Sequence, residues 1–455
     1  MKTITEPARE TPLCDDYDVI VAGGGTAGIV AAVAARRQGA RVLLVERGGF
    51  LGGTIAVQLL EHSEGWFDAQ GTRIVAGYPE ELVERLGEAG ASPGHVRDDT
   101  GYTRYRVPVN HEEFKSLVTA WVAEAGVAIL LNSPVVAVAE AARGHHLIVE
   151  NKSGRIAYAA PQVVDCTGDA DVAAQAGCAF LSEPGRETQP VSLLFKLGGI
   201  DHEALIDHVE AHPEDFKIGV DAADLRGETH VNLWGFGSLL ARAHQAGVLS
   251  LKRNELHYSG WTQTGEAAIN LTRHAADATR SEDLAAAEVV LRRQILEGVA
   301  FFRAFVPGCE RAHLSATAAS IGVRESRRLA GAYVLRDDDV RAGRRFPDAI
   351  ARGGFPIDSH DAKGASMAAS EALPAGYDIP LRCLLPETVD DLVVAGRCIS
   401  AERRALASAR ITGTCMAMGQ AAGTAAALAA AAGTSPRALD VDALRQTLKA
   451  AGAIL

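Results

Sequence analysis

The sequence has no CxxC or CxC pair, although seven cysteines are spread along its 455 residues: Cys14, Cys166, Cys178, Cys309, Cys383, Cys398 and Cys415. An odd number without paired spacing argues against a disulfide framework, a zinc ribbon and a Cys-ligated iron–sulfur cluster, and fits a reducing cytoplasm. A basic excess is also missing. Lys and Arg number 45 against 57 Asp and Glu, a formal net charge of −12. That balance disfavours a nucleic-acid binder, a tRNA modifier included, which needs a basic footprint. Residues 1–16 contain no apolar stretch of the kind a secretory signal carries. The longest weakly polar run, 416–432, is Ala-rich, poor in Leu and Ile, and interrupted by Gln420 and two glycines. It reads as a buried helix and not as a membrane span. No repeat of 20–50 residues is evident. With 47% hydrophobic and 22% charged residues the chain has a globular balance and enough length for two or three folding units.

The first structured segment, 18–22, is a short apolar run ending in glycines. A helical stretch follows over 26–38, closed by Gly39, and 41–46 is a second buried strand. Strand, glycines, helix and strand in this order make a βαβ unit and imply a parallel sheet. Residues 163–165 and 392–395 look like further strands of that sheet, each meeting a glycine turn where such folds place ligands. A long helix is expected from Thr412 or Thr414, either of which can cap it. Between Ser192 and Ala375 helical segments (201–210, 238–246, 281–305) mix with a strand-like one (267–271), which reads as an inserted second lobe. The expected fold is α/β, a Rossmann-like dinucleotide-binding domain with an inserted α+β substrate (cap) domain. The first takes 1–60, 105–190 and 376–455; the second takes 61–104 and 191–375.

Gly23-Gly24-Gly25-Thr26-Ala27-Gly28 satisfies GxGxxG. Gly23 permits the tight turn, Gly25 lets backbone approach a pyrophosphate, and Gly28 lets the helix pack closely on the strand. The free N–H groups of the helix start favour the phosphates. Glu46 ends the next strand, placed to accept both hydrogens of a ribose diol. A second glycine cluster, 48–53, follows at once and suits the chain folding back over an extended FAD better than a simple NAD domain.

With these blocks the sequence resembles the bacterial FAD-dependent oxidoreductases of the fumarate reductase flavoprotein and glutathione reductase superfamily. Further matching blocks are 165–171 (DCTGDAD), 321–328 (IGVRESRR), 351–358 (ARGGFPID), 377–380 (YDIP), 394–401 (VAGRCISA) and 414–423 (TCMAMGQAAG). The resemblance implies FAD in an extended pose. It places Gly23, Gly25, Thr26, Ala27, Gly28, Glu46, Arg47, Gly52, Gly53, Thr54, Val135, Thr167, Gly168 and Asp169 along the ADP half. Gly396, Arg397, Thr414, Cys415 and Met416 lie toward the flavin, with the last helix aiming its N-terminus at the N1/O2 edge. Relatives carry Thr-His-Glu where Glu402-Arg403-Arg404 stand, and Met-Pro where Thr412-Gly413 stand, so a role for that histidine does not transfer.

Arginines crowd these late blocks: Arg324, Arg327, Arg328, Arg382, Arg397, Arg403, Arg404 and Arg410. A guanidinium suits bidentate binding of a carboxylate, and Arg324 and Arg410 are the candidates for holding substrate, against a bland reading as salt bridges. Candidate proton acceptors are His257 with Tyr258, in an expected loop of the second lobe that closes over the flavin, and His274 and His360. His208 and His212 share a helix face but lack a third ligand, so no metal is expected. Cys398 and Cys415 fall in flavin-adjacent blocks without the spacing of a redox pair. The reading is a flavoenzyme passing a hydride between a small polar, oxygen-rich or carboxylate-bearing metabolite and flavin N5. The alternatives are a flavin monooxygenase or oxidase and an electron-transfer subunit of a larger complex. The electron acceptor stays open between O2, a quinone and a protein, as does homo-oligomerisation.

Overall fold

The computed structural model describes residues 2–5, 7–141, 143–182, 188–360 and 367–455. Parts of the second-lobe range and of 1–60 and 105–190 thus lie outside the described residues.

Five short strands, all parallel, run in the order Leu392–Val394, Gln162–Asp165, Val19–Ala22, Val42–Val45, Ala128–Leu130. In the first four, β-branched and leucine side chains are buried on both faces, as a parallel sheet covered by helices requires, while the edge strand Ala128–Leu130 is half-buried. The first helix, Thr26–Arg37, starts directly from the glycine turn, and Gly39 follows its end at φ +90°. It packs against the long helix Thr412–Ala432. That crossing explains the small residues in both: a Cβ on Gly419 or Gly423 would run into the carbonyls of Ala27 and Ala31, so only glycine lets the backbones meet. The long helix is apolar on every side because it is buried on almost every side. It is long and apolar enough to cross a membrane by composition, and here it sits inside the fold.

Neither threonine caps this helix: its N-cap is Ile411. The Thr412 hydroxyl is bonded instead to the Ser63 hydroxyl (2.7 Å) and accepts the Glu64 N–H (3.2 Å), while the buried Thr414 hydroxyl has no partner among the described residues. Tertiary bonding from 63–64 displaces the local cap.

A second five-stranded sheet is antiparallel throughout, in the order His230–Gly235, Leu256–Trp261, Glu266–Asn270, Phe195–Gly198, His313–Thr317. Helix Ser281–Phe305 has the expected bounds, and His202–Ala211 is capped by the Asp201 side chain. Residues 256–261, expected as a loop, are a central strand. Strand pairing on both sides, with Ser259 opposite Asn232 and Ala268 and Gly260 opposite Val231 and Ala267, governs these two residues, not turn chemistry. The buried side chains of 191–318 form one core with Leu59. Those of 66–91 and of 335–385 pack with the parallel sheet, so part of each range expected in the second lobe shares the first core. A four-stranded sheet, Leu13–Cys14, Gly154–Ala160, His145–Asn151, Val135–Glu140, completes the larger elements.

Candidate functional site

Residues that directly follow three strands of the parallel sheet, Gly23, Cys166 and Ala395, open onto one cavity of about 570 Å³. This is the carboxyl edge of the sheet, where open α/β folds bind ligands. Gly23 sits at φ +98° and donates its N–H to the Val45 carbonyl (2.7 Å). A Cβ on Gly28 would collide with the Gly23 carbonyl, whereas one on Gly25 would find nothing nearer than the Gly53 Cα at 3.9 Å. The helix therefore starts against the strand at Gly28 and leaves its first N–H groups uncapped beside open space at Gly25.

Glu46 lines the cavity. Its two carboxylate oxygens accept the backbone N–H groups of Gly24 and Gly48, both at 2.6 Å. These bonds wrap both glycine turns around one side chain, and each oxygen keeps a further lone pair for a ligand. Arg47, Gly53, Thr54, Thr26, Ala27, Thr167, Gly168, Gly396, Arg397 and Cys415 also line the cavity. Six expected cofactor residues do not. Gly28 and Gly52 act in backbone packing, Gly52 donating to the Gly24 carbonyl at 2.8 Å. Val135 lies in the four-stranded sheet, Thr414 is fully buried, and Met416 packs in the core. Asp169 is turned onto the Arg397 guanidinium (2.9 Å) and the Ser326 hydroxyl (2.7 Å).

The far end of the cavity is built by the antiparallel sheet. Trp234, His257 and Asn270 are direct cross-strand neighbours and all three line it, as do Ser259 and Ala268 one pair along. Because successive side chains alternate, Tyr258 points to the opposite face. Its hydroxyl bonds His202 Nε2 at 2.8 Å inside the second core, and burial pushes its ionisation far up. Tyr258 is therefore removed from the candidate proton acceptors by the strand that replaced the expected loop. His274 does not line the cavity either, while His360 does. His208 and His212 have rings 4.7 Å apart, and no group of three or more potential metal ligands occurs among the described residues.

The arginines sort by contact. Arg324 and Arg410 line the cavity with Asp358 and His360. Arg324 donates through one Nη to the Pro190 carbonyl (2.8 Å) and the Ser192 hydroxyl (2.6 Å). Arg410 reaches Asp358 and Gln189 only at 3.2–3.5 Å, through Nη2 alone. Arg327 is instead bound to Asp171, Arg382 to Asp348, Arg404 to Glu371, and Arg403 and Arg328 lie against Glu325. Burial, with the like charges of Arg273 and Arg410, presses the Arg324 value down to about 9. Burial opposes ionisation of Asp358, yet His360 and the two guanidiniums hold its carboxyl well below the usual range.

Glu64 carried no signal in the sequence. It lines the cavity, and its backbone N–H and carbonyl are tied to Thr412 and to the Gly413 N–H (2.9 Å). Its carboxyl has no hydrogen-bond or ion-pair partner among the described residues. Burial, reinforced by Asp98 and Asp358, pushes it up to about 8. His257 is driven the other way, to about 3, by burial and by His62. Burial likewise lowers His62 and His360 to about 4. The thiols gain nothing reactive from this setting: burial raises Cys415 to about 12 and Cys398 further.

This arrangement fits a dinucleotide at one end and an anionic small molecule at the other. Several solved structures are similar to this chain at low identity. A geranylgeranyl bacteriochlorophyll reductase-like protein from Thermoplasma acidophilum is 13% identical over 97% of this chain and 83% of its own (TM-score 0.47). p-Nitrophenol 4-monooxygenase from Pseudomonas putida is 12% identical over 96% and 84% (TM-score 0.48). Anhydrotetracycline hydroxylase from Streptomyces rimosus is 17% identical over 95% and 65% (TM-score 0.44). No curated protein matches the sequence. Residues 18–448 match the family described as FAD dependent oxidoreductase. The chain belongs to that family: it is an FAD-dependent oxidoreductase.

Proposed function

We propose that the enzyme exchanges a hydride and a proton with a small carboxylate-bearing metabolite bound between the cofactor residues and the antiparallel sheet. The observation that carries this is the pair Arg324 and Arg410, half-buried in the cavity with guanidinium nitrogens that meet no acceptor among the described residues. Clustered like charge in a low-dielectric site is costly, and an anion relieves it. FAD supplies the two-electron chemistry when bound. Gly23, Gly25, Thr26, Ala27 and Glu46 would hold its ADP half, and Arg397, fixed by Asp169, lines the same cavity.

Glu64 is the group we assign to the proton. It is open to the cavity, has no hydrogen-bond or ion-pair partner among the described residues, and titrates at about 8, so its ionised form accepts a proton as pH rises toward that value. His257 is too weak a base at about 3 and serves as a neutral hydrogen-bonding group. In this reading the substrate lobe is centred on 191–318. Kinship with the fumarate reductase flavoprotein and glutathione reductase superfamily, and a cytoplasmic setting, are parts of the same proposal.

The test starts with the absorbance of purified protein before and after acid precipitation. Flavin in the supernatant defines a noncovalent cofactor and permits screening by anaerobic bleaching. Bleaching by 2-hydroxy or 2-amino acids, and not by the matching uncharged alcohols or amines, is expected. Equal bleaching by the uncharged compounds would remove the carboxylate from the proposal.

A further inference from the structure

We propose that the substrate is an aryl carboxylate, its ring lying on a wall made by Tyr102, Trp234 and Phe355 and its carboxylate on Arg324 and Arg410; this rests on the carboxylate reading above. The three rings come from distant parts of the chain and meet only here. Tyr102 stands edge-on to Trp234 (centroids 5.2 Å, 87°) and to Phe355 (5.5 Å, 76°). All three line the cavity, next to His257, whose ring is 4.6 Å from that of Trp234.

The charged wall is close by. Asp358, Glu64 and Arg410 all act electrostatically on the Tyr102 hydroxyl, which itself stays protonated in this buried setting. Phe355 and Asp358 are three residues apart, so ring and charge are presented from one short segment. An aliphatic metabolite would leave this wall without a matching surface. A planar ring meets it by stacking or edge-to-face contact, while its carboxylate takes the guanidinium nitrogens that meet no acceptor among the described residues. Lys217 lies over Trp234 at 3.6 Å, which fixes the indole from outside the site. On this assignment the reacting position is a side-chain carbon on the ring that bears both a hydrogen and an O–H or N–H group. That carbon would give up its C–H hydrogen with the bonding electron pair, FAD supplying the oxidant when bound, and the O–H or N–H proton goes to the ionised fraction of Glu64, which grows as pH rises toward about 8.

The experiment titrates FAD-loaded enzyme with benzoate, cyclohexanecarboxylate and benzyl alcohol, read by flavin difference absorbance and by calorimetry. Benzoate should bind more tightly than cyclohexanecarboxylate by roughly two- to twelvefold, the range an aromatic contact confers. Trp234→Leu and Tyr102→Leu should erase that preference with FAD retained, and the wild-type comparison stands if either variant fails to fold. Equal affinity for the two acids overturns the ring assignment and leaves the carboxylate reading intact. Benzyl alcohol binding as tightly as benzoate overturns the carboxylate reading instead. No binding of any of the three overturns both, and a preference that survives both substitutions places the ring away from this wall.

Discussion

Arg397 donates to Asp169 at 2.9 Å across 228 residues of sequence, joining the turn after Gln162–Asp165 to the turn after Leu392–Val394. Burial works against ionisation of Asp169, but Arg397 and Ser326 still hold its carboxyl below the usual range. Asp169→Asn leaves the half-buried Arg397 guanidinium without its counter-charge, and losing that charged hydrogen bond costs about 1.5–3 kcal/mol. The sign with pH follows. A depressed carboxylate contributes stability above its unfolded value, lost as pH falls through the native one. Thermal melts should show the variant below wild type at pH 7 and the gap narrowing toward pH 3. A constant gap would mean that the pair is not what the substitution removes.

The glycine turn offers a sharper separation of fold from binding. Gly28→Ala forces a Cβ into the Gly23 carbonyl and should lower the melting temperature of apoprotein and holoprotein alike. Gly25→Ala meets only the Gly53 Cα at 3.9 Å, and its φ of −73° suits alanine. It should fold normally and lose FAD affinity by tenfold or more, because the added methyl fills the space the pyrophosphate needs. Retention of FAD by Gly25→Ala on gel filtration would contradict the cradle described here.

Much of this site was legible because backbone chemistry leaves a local trace. A glycine turn followed by a helix and an acid at the next strand end can be read without tertiary information, and Glu46 does line the cavity. The packing of Gly419 and Gly423 on Ala27 and Ala31 was invisible, since each small residue makes sense only beside its partner. Glu64 was invisible for a related reason: the acids of 61–68 match no motif, and the cavity that Glu64 lines is closed by Thr412, Asp358 and Tyr102 from other parts of the chain. Tyr258 was misplaced for want of a strand. Once 256–261 is extended, period-two alternation alone separates it from His257.

Glu64 also makes a prediction about stability. The groups near it are Asp98 and Asp358, which raise its value, and Arg106, which lowers it. Tyr102 stands near it as well. A carboxyl raised from 4.5 to about 8 binds its proton more tightly when folded, so stability falls as pH rises from about 4.5 to 8 and is level beyond. The buried histidines oppose this at lower pH. His62, His257 and His360, held to between about 3 and 4, favour unfolding as pH drops below 6.5. Glu64→Gln should abolish the decline between pH 6.5 and 8 while preserving the acid limb. An unchanged alkaline slope in melts of the variant would assign the decline elsewhere.

The eight arginines of the late blocks can be sorted experimentally as the structure sorts them. Arg324 and Arg410 keep guanidinium nitrogens open to the cavity, whereas Arg327 and Arg382 are bound to Asp171 and Asp348 outside its lining. A charge-assisted hydrogen bond is worth about 1.5–3 kcal/mol, or roughly ten- to 150-fold in affinity. Arg324→Gln and Arg410→Gln should each weaken benzoate by at least tenfold, while Arg327→Gln and Arg382→Gln leave it within a factor of two. The first pair carries a second signature, because an anion relieves the repulsion that Arg324 shares with Arg273 and Arg410. Saturating benzoate should therefore raise the melting temperature of wild type more than that of Arg324→Gln, by a margin beyond the difference in affinity. If all four variants bound benzoate alike, the cationic end of the cavity would be a structural network, and the carboxylate would have to be sought at another donor.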